Sequence, residues 1–140
     1  MLKEIFFRQN LVSRANTAEL VARSVVVETT PKRLMLSDKI VRLKLSNKCD
    51  PRYINLANST PFARQYYARV AGGTSSSMKN VSREQILNLQ IALPPLSEQH
   101  RIVAKFDQLM ALCDKLKTRL NQSHQMQEYL ANALVEQAVA

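Results

Sequence analysis

The chain has 140 residues and carries 20 Lys and Arg against 11 Asp and Glu, a formal charge of +9 at pH 7. Hydrophobic residues make up 46% of the sequence, which is enough for a packed core and argues against disorder over the whole chain. No apolar run reaches the roughly 18 residues of a membrane span, and the first residues lack the apolar segment of a signal peptide. Two cysteines far apart in the sequence make no disulfide framework. We therefore expect a reduced, cytoplasmic protein.

The positive charge is concentrated in the first two-thirds of the sequence. Residues 1–95 carry 15 of the Lys and Arg and 6 of the Asp and Glu, whereas residues 96–140 carry 5 of each sign. A basic segment favours a polyanionic partner such as nucleic acid, and a neutral segment favours a protein partner. A basic surface that has no specific partner is the alternative explanation.

The first fifty residues are typical of strands joined by turns. Branched and aliphatic residues predict strands at 11–14, 21–27, 34–36 and 40–45, and residues 16–19 are expected to connect the first two. The second strand contains three consecutive valines, which is typical of a strand buried on both faces. The fourth strand alternates, so Arg42 and Lys44 are expected to form its solvated, basic face.

Three capping signals in the middle of the chain predict three helices. Each combines a capping residue with a partner suited to the first turn: Asp50 with Pro51, Thr60 with Pro61, and Ser82 with Gln85. The only two glycines are adjacent and begin a loop over residues 72–77 that ends the second helix. Residues 90–93 are predicted to form a final short strand.

After Pro94-Pro95 the sequence predicts one long helix that begins with Ser97 as its cap and would extend about 66 Å. Apolar residues recur there with the 4-3 spacing of a coiled-coil seam, interrupted by Ser123 and Gln127. The alternative is a bend, or a second helix that starts near residues 121–123. The seam residues predicted to mediate association are Ile102, Phe106, Leu109, Cys113, Leu116, Leu120, Leu130 and Leu134.

The expected fold class is therefore α+β, with a small mixed α/β domain over residues 1–95 and a long coiled-coil helix over residues 96–140. No catalytic constellation is evident, because the histidines, the carboxylates and the glycine pair lack the spacings of metal, nuclease or nucleotide sites. We expect no enzyme activity, no metal site and no cofactor.

The residues predicted to face DNA are Arg8, Arg14, Asn16, Lys32, Arg33, Ser75, Ser76, Ser77, Lys79 and Asn80, with Arg64 and Arg83 as further candidates. Each of them also has a purely structural explanation, such as a turn role for Asn16.

Three stretches resemble the specificity subunits of type I restriction–modification systems. Residues 93–109, which contain Pro-Pro-Leu-Ser-Glu-Gln, look like the junction between a target recognition domain and its long helix. Residues 14–21 are similar to a turn within such domains, and residues 72–82 are similar to the loop before their last helix and strand. The resemblance extends from about residue 6 to residue 140.

The resemblance implies a non-catalytic domain that binds one half of a bipartite double-stranded DNA target. It also implies a helical spacer that helps to dock the modification subunits, which carry the methyltransferase activity, and it makes the restriction subunits of the same system further partners. A full specificity subunit has two recognition domains and two long helices, whereas this chain has at most one of each and is expected to lack the start of its domain. With its helix unpaired, the chain is expected to form a homo-oligomer, a dimer by base rate. The alternative is an association module without sequence-specific DNA binding.

Overall fold

The computed structural model describes residues 9–29, 35–73, 75 and 78–139, and it divides into two compact units, Met1–Val103 and Ala104–Ala140. The α+β class and the long C-terminal helix predicted from the sequence are confirmed. In chain order the elements are β1 (Gln9–Ser13), β2 (Ala15–Asn16), β3 (Ser24–Val27), β4 (Ile40–Leu43), α1 (Pro51–Asn58), α2 (Pro61–Val70), β5 (Lys79–Asn80), α3 (Arg83–Leu87) and α4 (Leu96–Val139).

The larger sheet is antiparallel with the strand order β3-β1-β4, so β1 is its central strand. Leu11 of β1 lies opposite Val25 of β3 on one side and Arg42 of β4 on the other. Side chains alternate between the two faces of a strand, and accordingly Asn10 and Val12 are buried while their neighbours in β1 are half-buried. A smaller, two-stranded antiparallel sheet pairs β2 with β5.

The hydrophobic core draws on the sheet, the turn after β2, and helices α2 and α3. Its buried members are Val12, Val21, Ala22, Ala63, Tyr67, Val81 and Ile86. Asn58, the last residue of α1, is buried beside this core and fully hydrogen bonded. Its Nδ2 donates to the carbonyl of Ala22 at 2.8 Å and to the hydroxyl of Ser24 at 3.0 Å, while its Oδ1 accepts from the hydroxyl of Tyr67 at 2.9 Å. A satisfied buried amide of this kind joins α1, α2 and β3.

The three helix starts predicted in the middle of the chain are confirmed. The Asp50 carboxylate accepts from two backbone N–H groups in the first turn of α1, at 2.8 and 2.9 Å. The Thr60 hydroxyl accepts from the first turn of α2 at 3.3 Å. Ser82 and Gln85 form a reciprocal capping box at the start of α3, with distances of 2.7 and 3.1 Å. These caps satisfy N–H groups that a helix start otherwise leaves without partners.

Helix α4 begins at Leu96, so Ser97 lies inside the helix and its predicted role as the cap is wrong. Gln99 holds this start in place. Its side chain is fully buried, and Nε2 donates to the carbonyls of Lys48 at 2.9 Å and Pro94 at 2.8 Å. Its Oε1 accepts from the backbone N–H of Asp50 at 2.8 Å. From there α4 is assigned as one helix to Val139, so no second helix starts near residues 121–123.

The strand predicted over residues 21–27 is too long. Val21 and Ala22 form a turn, and β3 covers only Ser24–Val27. Val25 is 56% exposed, so the prediction that this strand is buried on both faces is also wrong. The physical reason is that β3 is an edge strand of the described sheet, and Val21 in the turn supplies the core side chain instead.

Other strand predictions need similar corrections. The strand expected over residues 34–36 is wrong for residues 35 and 36, which are exposed and outside any strand, while residue 34 lies outside the described residues. Residues 90–93 are not a strand either. The carbonyl of Ala92 in this segment accepts a hydrogen bond from the Tyr53 hydroxyl at 2.7 Å. The predicted alternating strand is confirmed with the shorter extent Ile40–Leu43.

Candidate nucleic-acid interface and association seam

Strands β2 and β5 bring together polar residues that are far apart in the sequence. Ala15 pairs with Asn80, and Asn16 pairs with Lys79. The backbone of Gly72 forms a further bridge to Asn80, with a 2.9 Å hydrogen bond in each direction. We call β2, β5 and the Gly72–Gly73 pair the ribbon. It places three residues predicted to face DNA, namely Asn16, Lys79 and Asn80, on adjacent backbone positions, which the sequence alone did not reveal.

The two glycines of the ribbon differ in how well their positions would tolerate a side chain. Gly73 has a φ of +119°, in the region that favours glycine, and a Cβ there would overlap the carbonyl oxygen of Met78. A Cβ at Gly72 would meet only the carbonyl oxygen of Asn80, at 4.0 Å. The Nζ of Lys79 donates to the carbonyl of Gly73 at 2.6 Å, which ties the loop to β5 and leaves the ammonium group two further donors.

The remaining predicted DNA-facing residues divide into described and undescribed ones. Asn16 is exposed, and its Oδ1 accepts from the backbone N–H of Thr17 at 2.8 Å, which agrees with its turn role and keeps its amide nitrogen at the surface. Ser75 is exposed as well. The predicted residues that lie outside the described part of the chain are Arg8, Lys32, Arg33, Ser76 and Ser77.

Arg14 occupies the corner between the ribbon and β4. Its Nε donates to the carbonyl of Val81 at 3.1 Å, and its Nη1 lies 3.5 Å from the carbonyl of Asp38. Its own backbone donates to Lys39 at 2.7 Å and accepts from Val81 at 2.9 Å. Because a guanidinium group has five N–H donors, Arg14 can hold this corner together and still offer donors to a ligand.

Arg64, a further candidate for facing DNA, makes contacts within the fold that agree with its structural explanation. Its Nη1 donates to the carbonyl of Val21 at 2.8 Å and its Nη2 to that of Ala22 at 3.4 Å. Ala22 has a left-handed φ of 60°, and these bonds help to hold that unfavourable turn. The guanidinium carbon also lies 5.0 Å from the centre of the Tyr67 ring, and burial lowers the pKa of Arg64. Two of its nitrogens are thus engaged within the fold, while its Nε is buried without a hydrogen-bond partner.

An open groove of about 750 Å³ lies beside β4 and carries four cationic side chains. We call it the β4 groove. Its lining residues are Arg14, Leu36, Asp38, Ile40, Val41, Arg42, Leu43, Lys44, Arg83 and Leu87. Among the described residues, the side chains of Arg42, Lys44 and Arg83 have no hydrogen-bond or ion-pair partner. The groove therefore combines concentrated positive charge with side chains that are available to a ligand.

Sequence reasoning missed most of this groove. It assigned Arg42 and Lys44 to the solvated face of a strand, and it gave Arg83 no spatial neighbour. The signal that could have found the groove is the alternation Arg-x-Lys along β4, because a row of cations on one side of an edge strand is a ready ligand surface. What the sequence could not supply is the position of α3, which brings Arg83 to the same groove.

The predicted seam residues are exposed in this single chain. Their exposed fractions rise from 37% at Ile102 and 41% at Phe106 to 58% at Leu120 and 67% at Leu134. Leu109, Leu116 and Leu130 are each more than half exposed, and the Cys113 thiol is exposed and free. An apolar stripe of this length on one helix is typical of a surface that pairs with another helix.

The described residues contain no group of three or more His, Cys, Asp or Glu that could hold a metal ion. Among the helices in those same ranges, none combines the length and apolarity that crossing a membrane requires. What the arrangement offers chemically is recognition: amide and ammonium donors on the ribbon, cations along the β4 groove, and apolar side chains along α4.

Comparison with known proteins identifies one family. Residues 14–123 match the family model of the type I restriction modification DNA specificity domain. The type I restriction enzyme EcoEI specificity subunit of Escherichia coli is 35% identical over 130 residues, which cover 92% of this chain and 22% of that protein. The StySPI specificity subunit of Salmonella potsdam is 31% identical over 113 residues, 79% of this chain and 24% of that protein. The EcoKI specificity subunit of Escherichia coli strain K12 is 33% identical over 88 residues, 63% of this chain and 19% of that protein. The chain thus spans about a fifth to a quarter of the length of these relatives.

Proposed function

This chain belongs to the type I restriction modification DNA specificity domain family, and from that membership we propose that it is a non-catalytic DNA-recognition and assembly component of a type I restriction–modification system. Its domain binds double-stranded DNA, and its α4 helix pairs with a helix of another chain. Its partners are DNA, the modification and restriction subunits of the same system, and a second copy of itself. In this role it acts in the cytoplasm, where its two cysteines stay reduced.

The observation that carries the DNA-binding proposal is the ribbon. It pairs Asn16 with Lys79 across two strands that are far apart in the sequence, so these two side chains share one face of the ribbon, while the exposed Asn80 lies on the opposite face. Asparagine amides pair with adenine edges in the major groove, and lysine contacts phosphates or guanine. A two-stranded antiparallel ribbon is one of the elements that the major groove admits. The concentration of the whole charge excess in residues 1–95 supports the same assignment.

DNA binding is tested by fluorescence anisotropy of a labelled duplex titrated with the full chain at salt concentrations of about 50 to 200 mM. The proposal predicts binding whose affinity falls steeply and linearly on a log–log plot, because lysine and arginine contacts release counterions from DNA. A chain that fails to bind DNA at the lowest salt concentration, while still associating with itself, contradicts DNA recognition and leaves the assembly role alone.

The exposed seam supports the assembly proposal. Burying a leucine side chain in an interface contributes about 1.5–3 kcal/mol, and a symmetric dimer buries each seam leucine twice. Introducing a carboxylate at Leu109 or Leu116, each more than half exposed in the single chain, should therefore weaken association by about three orders of magnitude or more. A matched control exists in Ala111, which is exposed on the same helix and lies outside the 4-3 seam spacing.

Size-exclusion chromatography with light scattering measures this effect. Wild type and Ala111→Glu are expected to elute as the same oligomer, and Leu109→Glu and Leu116→Glu as monomers. The assembly proposal is wrong if wild type is already monomeric at high concentration, or if the seam variants and the control keep the same mass.

A further inference from the structure

We infer that the β4 groove binds the sugar–phosphate backbone of duplex DNA, while the ribbon contacts base edges. This inference rests on the proposed DNA-binding function and adds a division of labour to it. The groove supplies affinity that is independent of sequence, and the ribbon supplies discrimination. The two surfaces are predicted to respond differently to salt, to DNA sequence and to substitution.

The charge of the groove is the first argument. Arg14, Arg42, Lys44 and Arg83 line it, against the single carboxylate of Asp38. Arg14 already bonds to the carbonyl of Val81, but the other three cationic side chains are unpartnered among the described residues. Exposed cations placed together repel one another, so a set without carboxylate partners is best stabilised by an anionic ligand.

The geometry of β4 is the second argument. Arg42 and Lys44 occupy alternate positions of the chain, and alternate residues of an extended chain lie about 6.8 Å apart. That spacing is close to the separation of successive phosphates along one DNA strand. β4 pairs only with β1 in the described sheet, so its other edge faces away from the sheet, where the Ile40 N–H already donates to the carbonyl of Ser37 at 3.0 Å. The volume of about 750 Å³ exceeds the need of a single phosphate and suits a stretch of backbone.

Continuity with the ribbon is the third argument, and it favours DNA over an unrelated anionic ligand. Arg14 lines the groove and immediately precedes β2, and its Nε bonds to Val81, which immediately follows β5. The groove and the ribbon therefore share one corner of the domain. If the ribbon contacts base edges of a duplex, the sugar–phosphate backbone that borders the same DNA groove lies next to the ribbon. Cationic side chains there contact phosphates and position the DNA without contributing sequence specificity.

The test uses the full chain and the triple variant Arg42→Gln, Lys44→Gln, Arg83→Gln. All three positions are exposed, so the variant is expected to fold, which far-UV circular dichroism checks. Anisotropy titrations against two unrelated duplex sequences give the slope of log affinity against log salt concentration. Each phosphate contact contributes about 0.9 to that slope on B-DNA, so its magnitude should fall by about 2.7. Relative to 1 M salt, where these contacts add little, affinity near 0.1 M salt should fall roughly 500-fold, and by the same factor on both duplexes.

The matched control is the triple variant Arg23→Gln, Lys48→Gln, Arg69→Gln. It removes the same net charge from exposed positions outside the β4 groove. The inference predicts a slope close to that of wild type for the control. An equal loss in both triple variants would show that only net charge matters and would overturn the groove assignment. An unchanged slope in the groove variant, with wild type still binding DNA, also overturns it and leaves the proposed function intact, whereas a wild-type chain that binds neither duplex contradicts both proposals.

Discussion

Replacing Gln99 with leucine should destabilise the domain more than replacing any exposed glutamine of α4. The side chain is 0% exposed, and it makes three hydrogen bonds to backbone groups of Lys48, Asp50 and Pro94. Leucine has a similar volume but no polar atoms. The change therefore leaves two carbonyls and one N–H group without partners in a region from which water is largely excluded.

The size of the effect follows from these bonds. Each lost hydrogen bond to a partly buried backbone group costs about 1 kcal/mol, so the free energy of unfolding should fall by about 3 kcal/mol. With a urea m value of about 2 kcal/mol/M, the unfolding midpoint moves down by about 1.5 M. Near-UV circular dichroism of the tyrosines is a suitable signal, because the sequence has no tryptophan and three of its four tyrosines lie before α4.

Two further variants make the reasoning refutable. Gln108→Leu changes an exposed glutamine of the same helix and should shift the midpoint little. Gln99→Glu keeps the shape of the side chain but replaces the donor with an acceptor that faces two carbonyls, so it should destabilise at least as strongly as leucine. If Gln99→Glu is as stable as wild type, shape rather than hydrogen bonding holds the start of α4, and the reasoning is refuted.

Three other predictions concern stability and are measured by urea unfolding. Burial raises the pKa of Tyr67 to about 12, above its unfolded value of about 10. The stabilisation by the neutral hydroxyl group is therefore complete below pH 10 and is lost as the pH rises toward 12, so the urea midpoint of wild type should fall there more than that of Tyr67→Phe. Equal falls in the midpoints of the two proteins over this pH range would contradict the prediction. Gly73→Ala should lower the free energy of unfolding by about 1–3 kcal/mol, because Gly73 has a positive φ and a Cβ there would overlap the backbone. Gly72→Ala should lower it by less than about 1 kcal/mol, and the reverse order would contradict the ribbon geometry. Ser82→Ala should cost about 1 kcal/mol through its lost cap, while Ser97→Ala should be nearly neutral, and equal effects would mean that Ser97 caps α4 after all.

Local signals predicted the helices well. A capping residue acts on backbone groups within its own first turn, so Asp50, Thr60 and Ser82 could be assigned from a few neighbouring residues. The same logic failed at Ser97, because the start of α4 is held by Gln99 and by segments distant in the sequence. Tertiary contacts there replace the side-chain cap that local spacing predicted.

The strands and the site were harder to predict because pairing is non-local. Three consecutive valines indicated a buried strand, yet β3 is an edge strand and Val25 is largely exposed. The candidate residues Asn16 and Lys79 were found individually, but their pairing could not be read from one sequence. Nothing local indicates that the guanidinium of Arg64 bonds to the turn at Val21.

In the proposed function, the domain binds DNA and helix α4 associates with a second copy of the chain. Light scattering of the purified full chain eluting with a duplex measures both properties in one experiment. The account predicts a complex of two chains with one duplex for wild type, and one chain with one duplex for Leu109→Glu. A wild-type chain that elutes apart from the duplex at low salt would contradict the account.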